Sequence, residues 1–184
     1  TSVGWKSWGY IQDESYKSAD QLVDEMVDIV SKNGCLLLNV GPRPDGTIPE
    51  EAERVLLGIG QWLEVNREAI YGTRPWKIYG EGPTKLSGGY FGERESQAFT
   101  AQDIRFTTRD GVLYAICLDW PGQDLKIKSL SSKSDSSAGK VSDVRLLGVD
   151  ERLDWTQAED YLTVRVPSKK PCDYAYTFKI ILGT

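Results

Sequence analysis

Apolar residues follow two different periods along this chain, and the change between them divides the molecule. Leu22, Val23, Met26, Val27, Ile29 and Val30 form a helical stripe. Ser18-Ala-Asp-Gln21 resembles a capping box and Gly34 is a natural C-cap, so the pattern predicts a helix over about Ala19 to Asn33. Leu36, Leu37, Leu38 and Val40 are then too continuous for a half-exposed strand, which would alternate. They predict a strand covered on both faces, with Asn39 breaking the run near its C-terminal end. Gly41, Pro42, Pro44 and Gly46 supply a turn, and Thr47-Ile48-Pro49-Glu50 reads as an N-cap, a proline at an early helical position and a capping-box glutamate. Ala52, Val55, Leu56, Ile59, Trp62 and Leu63 carry a second helix from Pro49 to about Glu68, with Trp62 on its core stripe.

Tyr71 to Ser96 is rich in Gly, Pro and Tyr without sustained periodicity and predicts a linker that wraps a surface. Beyond it the period becomes two. Strand-like runs at 104–106, 113–118, 125–127, 144–146, 162–166 and 174–182 are separated by Arg109-Asp-Gly111, Trp120-Pro-Gly122 and a serine-rich stretch at 129–137. That pattern predicts an antiparallel sandwich. Before the first helix, Val3, Trp5, Trp8, Tyr10 and Ile11 among glycines and serines predict a short strand running into an aromatic loop, a common place for function. One or two parallel strands with two amphipathic helices cannot close a barrel, because large apolar faces would stay bare.

Charge and composition narrow the chemistry. Twenty-two Lys and Arg against 27 Asp and Glu give a net charge of -5 with no basic run, which argues against nucleic acid and anionic membrane as partners. No apolar stretch reaches the length of a membrane span. Histidine is absent, which removes the usual triads and acid/base pairs and disfavours zinc; neither a metal nor a cofactor is expected. Cys35, Cys117 and Cys172 are an odd number, widely spaced in apolar or aromatic surroundings, and predict buried free thiols. Residue 1 is Thr and the sole methionine, Met26, lies in a predicted helix, so the chain reads as a fragment or processed product.

Ser7-Trp8-Gly9-Tyr10, Asp28 to Gly34 (DIVSKNG), Leu37 to Pro42 (LLNVGP) with Asp45 to Pro49 (DGTIP), and Glu68 to Trp76 (EAIYGTRPW) occur in an order that resembles the α-L-fucosidases of glycoside hydrolase family twenty-nine. The resemblance implies the final β/α elements of a (β/α)8-type barrel followed by an antiparallel β-sandwich: residues 1–80 as the end of the catalytic barrel, 81–98 as linker and 99–184 as the C-terminal domain. It implies a retaining, exo-acting hydrolysis of terminal α-L-fucose, in which an aspartate attacks the anomeric carbon and a carboxylic acid protonates the leaving oxygen. Both groups are expected before residue 1, leaving no catalytic residue in this chain; Asp13 or Glu14 after the aromatic loop is the alternative for the acid/base. The implied partners are a fucosylated glycan or oligosaccharide and the N-terminal part of the barrel, and the implied location is secreted or periplasmic.

By the same resemblance Trp8 matches an aromatic wall beside the fucose methyl, against a plain alternative of core packing. Tyr10 and Trp5 are weaker candidates for the same surface, with loop support the competing role. Asn39 has two open readings: holding a loop or catalytic group at the barrel mouth, or satisfying the backbone of the Gly41-Pro42 turn. Asp45, Arg43 and Arg74 read as turn-bonding or surface residues, and Trp120 as part of a hairpin turn. A non-catalytic carbohydrate-binding or interaction module of fucosidase-like ancestry is the competing function.

Overall fold

The computed structural model describes residues 1–85, 98–134 and 139–183. The predicted linker beyond residue 85 and part of the serine-rich stretch lie outside the described residues. Helix α1 spans Ala19–Ser31, with the Ser18 side chain accepting from the Gln21 N–H. It ends in a Schellman motif: Gly34 N–H donates to Ile29 O at 2.9 Å and Asn33 N–H to Val30 O at 3.0 Å. Asn33, at φ 65°, takes the left-handed position in place of Gly34. Helix α2 spans Glu50–Asn66, and its N-cap is Pro49, without a side-chain capping bond. The expected Thr47 cap is therefore corrected. The Thr47 hydroxyl and N–H both donate to Asp45 instead, at 2.7 and 3.0 Å, so the turn claims the side chain. Glu50, Glu51 and Glu53 complement the positive end of the helix dipole in its place.

Among the described residues eight strands follow: β1 Arg74–Glu81, β2 Ile104–Arg109, β3 Val112–Cys117, β4 Asp124–Ile127, β5 Val141–Leu146, β6 Trp155–Gln157, β7 Leu162–Arg165 and β8 Tyr176–Leu182. All pair antiparallel, in a five-stranded sheet ordered β1-β2-β3-β8-β5 and a three-stranded sheet ordered β4-β7-β6. The sandwich expectation holds. Its core interleaves Phe106, Leu113, Phe178 and Ile180 of the larger sheet with Leu125, Ile127, Leu162 and Val164 of the smaller. The other face of the larger sheet is also covered: Tyr114 and Ile116 join Leu22, Val27 and Trp62 of the two helices in a second core. The molecule thus has three layers, helices over five strands over three.

β1 corrects the linker reading. Residues 74–81 pair with β2 at the sheet edge, with a register shift between Pro75 and Gly80. Trp76 sits edge-on to Phe106 with centroids 5.0 Å apart. Proline and glycine hid the strand from its pattern, yet both are tolerated at an irregular edge. The boundary drawn at residue 80 runs through the end of this strand.

The strand expected at 36–40 is not formed as one. It is reduced to an isolated parallel bridge between Ser2 and Asn39, with Asn39 N–H donating to Thr1 O and Val3 N–H to Asn39 O, each at 3.0 Å. Leu37 is 75% exposed, while Leu36, Leu38 and Val40 are half-buried against the helical core. A parallel strand needs ladder partners on its sides, and the described residues supply one short neighbour. Cys35 beside it is exposed, so the expectation of three buried thiols fails there; Cys172 is half-buried and Cys117 is fully buried. Burial pushes the Cys117 thiol up to about 12.

Helices and sandwich are joined by polar contacts as well as packing. Trp62 Nε1 donates to Ala175 O at 2.7 Å, and Thr107 Oγ1 donates to Ala69 O at 2.7 Å. Asp28 on α1 receives Arg105 Nε from β2 at 2.6 Å and Lys32 Nζ at 2.7 Å, with Asp28 and Arg105 both buried. Asp103, also buried, is opposed by desolvation, but bonds from the N–H and hydroxyl groups of Thr84 and Thr100 outweigh it and hold its pKa low.

Candidate functional site

Residues 1–4 and 36–40, which precede and follow α1 in the chain, lie side by side in parallel, so their C-terminal ends open toward the same edge. The aromatic loop leaves one end and the Gly41-Pro42 turn leaves the other, and the two meet. A side chain at Gly41 would lie 2.7 Å from Gly9 C and 2.8 Å from Tyr10 N, so only glycine permits this approach. Asn39 Nδ2 donates to Trp8 O at 2.6 Å and to Ser2 Oγ at 3.2 Å. Of the two readings of Asn39, loop support is the one its bonds express.

Trp8 is 54% exposed and Tyr10 38% exposed in this chain. Trp5 is half-buried, with Lys17 Nζ 5.0 Å from its ring centroid. Lys17 itself is buried, and its Nζ donates to Thr1 Oγ1 at 2.7 Å and Ser2 O at 2.8 Å, bracing the first strand-like segment. The void beneath the loop, bounded by Val3, Glu14 and Tyr16, is only about 10 Å³. That is at most one water, so a sugar would have to meet the loop on its outer surface.

Glu14 is the residue the sequence reading undervalued. Its carboxylate accepts from the backbone N–H groups of Lys6 at 2.9 Å, Ser7 at 3.0 Å and Ser15 at 2.9 Å. These bonds turn it back into its own loop. A side chain on Gly4 would come within 2.7 Å of the same carboxylate. An acid seven to eight residues beyond the amides it caps has no helical or strand period, so nothing in the pattern marks it. Asp13 contributes its carbonyl to the Lys6 ammonium.

The remaining candidates lie in turns or, for Arg74, at the start of β1. Bonds from the Thr47 N–H and hydroxyl hold the Asp45 carboxyl below its usual range. Arg43 donates to Thr47 Oγ1 at 3.4 Å and Ile48 O at 3.0 Å, and Arg74 donates to Thr73 O at 2.9 Å. Trp120 packs edge-on against Tyr176, with centroids 4.7 Å apart, just before Gly122 at φ 80°. Among the described residues, no group of three or more acidic or cysteine side chains is disposed to hold a metal ion, and no helix is long and apolar enough to cross a membrane.

An α-L-fucosidase family model matches residues 1–68, and an α-L-fucosidase C-terminal domain model matches residues 97–181. The chain is 32% identical over 188 aligned positions to the tissue α-L-fucosidase of Rattus norvegicus, covering 98% of this chain and 36% of that protein. Among solved structures, the Thermotoga maritima α-fucosidase in complex with fucose superposes with a TM-score of 0.74 at 32% identity, over 98% of this chain and 38% of that one. α-L-Fucosidase isoenzyme 1 from Paenibacillus thiaminolyticus superposes with a TM-score of 0.73 at 28% identity, over 100% of this chain and 39% of that one. The chain thus spans a little over a third of the relatives' length. Since two matches in the right order account for its helical part and its sandwich in turn, the chain belongs to the α-L-fucosidase family.

Proposed function

We propose that this chain forms the last β/α elements of a (β/α)8 catalytic barrel and the C-terminal β-sandwich of a retaining, exo-acting α-L-fucosidase, which hydrolyses terminal α-L-fucose from glycans or oligosaccharides. The observation that carries this reading is the meeting of two loops at the common C-terminal edge of two parallel-bridged segments, with an exposed tryptophan at the junction. Barrels of this type build their active sites at that edge. In this reading the junction between barrel and sandwich falls just before Arg74, where β1 enters the sheet.

Catalysis by retention needs two carboxyl groups flanking the glycosidic bond, one attacking and one donating a proton. In this reading both lie upstream of residue 1; Glu14 is held by loop amides and Asp45 by its turn, which supports that placing. What this chain contributes is a wall. The Trp8 indole offers a flat apolar surface to the nonpolar edge of fucose, and Asn39 and Gly41 hold the loop that carries it. The family likeness also supports a secreted or periplasmic location.

The test compares the 184-residue chain with a form extended at its N-terminus, using an aryl α-L-fucoside. The extended form should turn over and the shorter chain should not. Trp8→Ala in the extended form should lower kcat/KM by about tenfold or more with the melting temperature nearly unchanged. Equal turnover by the shorter chain, or a loss of activity matched by a loss of folded protein, would overturn the assignment.

A further inference from the structure

The Trp8 loop is long, exposed and rich in small residues, which ordinarily makes a loop mobile. Its construction argues otherwise. The feet are pinned by the antiparallel bridge between Gly4 and Tyr16, with Trp5 N–H donating to Ser15 O and Lys17 N–H to Val3 O, each at 2.9 Å. The tip is pinned by Asn39 and by the close approach of Gly41. Between feet and tip, the backbone turns outward at Lys6 and Ser7, immediately before Trp8, and there both amides donate to one carboxylate. Glu14 Oε1 takes the Lys6 N–H and Oε2 takes the Ser7 N–H, while Oε1 also takes the Ser15 N–H on the returning limb. Two successive amides aimed at two oxygens of one rigid planar group define a direction as well as a bond, and charged acceptors bind N–H groups more strongly than neutral ones.

We infer that Glu14 is a positioning residue: by bridging the outgoing and returning limbs of the loop it fixes the direction in which Trp8 presents its indole. The inference rests on the reading of Trp8 as a sugar wall only for its consequence, not for its geometry. Glycine at position 4 belongs to the same device, because a Cβ there would occupy the space of the carboxylate. Shortening the side chain to Asp removes the methylene that lets it span both limbs. Replacement by Gln keeps the length and one acceptor oxygen but turns a donor toward one of the amides. Replacement by Ala leaves all three amides to water.

The loop geometry is read directly in the 184-residue chain labelled with 5-fluorotryptophan, whose six indoles give separate fluorine resonances. The Trp8 line is identified by its loss in Trp8→Phe. In Glu14→Ala the Trp8 line should move toward the position of a solvent-averaged indole while the lines of Trp62 and the sandwich tryptophans stay in place, and Glu14→Gln should fall between. An unmoved Trp8 line overturns the inference, and so does collapse of all the lines in both variants, which would make Glu14 a folding residue. In the extended form, Glu14→Ala should raise KM for an aryl α-L-fucoside by about tenfold with a smaller change in kcat, and Glu14→Gln should recover part of it. A displaced Trp8 line with unchanged KM would uphold the positioning role and remove Trp8 from the sugar site.

Discussion

β3 and the segment 36–40 carry similar apolar patterns, VLYAIC against LLLNV, and have opposite fates. β3 is paired along its whole length, with β2 on one side and β8 on the other, and packs the sandwich with one face and the helices with the other. Segment 36–40 makes a single bridge and leaves Leu37 exposed. Both runs state the same demand, cover on two faces and partners on two edges. The difference is in who answers it. β2 reaches β3 through a two-residue turn in which Asp110 and Gly111 have φ of 51° and 79°, the geometry of a tight hairpin. A parallel segment must recruit neighbours through crossovers of a dozen residues or more, and each neighbour is a separate element. Antiparallel order is therefore closed within this chain, while the parallel order at its start rests on one bridge.

Substitutions can sharpen this contrast. Phe178→Ala empties the centre of the sandwich, where the ring is fully buried, and should cost about 3–5 kcal/mol in urea unfolding. A smaller loss would mean that the sandwich core relaxes into the gap. Arg105→Met should cost about 3 kcal/mol, because it leaves the buried Asp28 carboxylate with Lys32 as its remaining ion-pair partner. If the variant melts like the parent, helices and sandwich are joined by apolar packing and the ion pair is incidental.

Asp24 probes the same junction through pH. Burial raises its carboxyl to about 8, Asp20 and Asp119 add to the rise, and Arg105 opposes it; among the described residues its Oδ1 has no hydrogen-bond partner. The folded state therefore holds the proton after the unfolded chain, with an ordinary carboxyl, has released it. The associated stability is fully present below the unfolded pKa of 3.8 and is lost as pH rises through the folded value of about 8. Asp24→Asn should flatten this decline, so that its stability relative to the parent rises steadily between about pH 5 and about pH 8. Parallel stability curves for the two proteins would show that Asp24 ionises freely. Leu37→Ala, at the other end of the scale, should change stability by less than about 0.5 kcal/mol in this chain. In a form extended at the N-terminus the same change should cost about 2 kcal/mol or more if new neighbours cover the segment, and an equal small effect in both forms would remove the barrel reading of residues 36–40.

The helices and most of the sandwich were legible in advance because their signals are local. Ser18, the stripe from Leu22 to Val30 and the run from Ala52 to Leu63 define α1 and α2 within a residue or two. Alternation at 162–166 marks a strand that buries one face, and at 104–106 one whose apolar side chains enter the sandwich core while Arg105 turns to the helices. β1 escaped because Pro75 and Gly80 imitate a linker, and β6 because three half-buried or exposed residues have no period to read. At the candidate site Trp8, Tyr10 and Asn39 were visible as types in a motif, but Glu14 was visible only as an acid near an aromatic loop. Its bonds run to backbone amides, and a backbone amide has the same appearance at every position of a sequence.

Local periodicity and turn chemistry, then, determined the order and kind of the elements and the family motifs on which the functional reading stands. Tertiary structure decided which apolar runs found partners, which aromatic stayed in solvent and which carboxylate turned inward. Those outcomes depend on contacts between distant residues such as Asn39 with Trp8 and Arg105 with Asp28. A residue's period records the face it shows; the group that meets that face is supplied by another part of the chain.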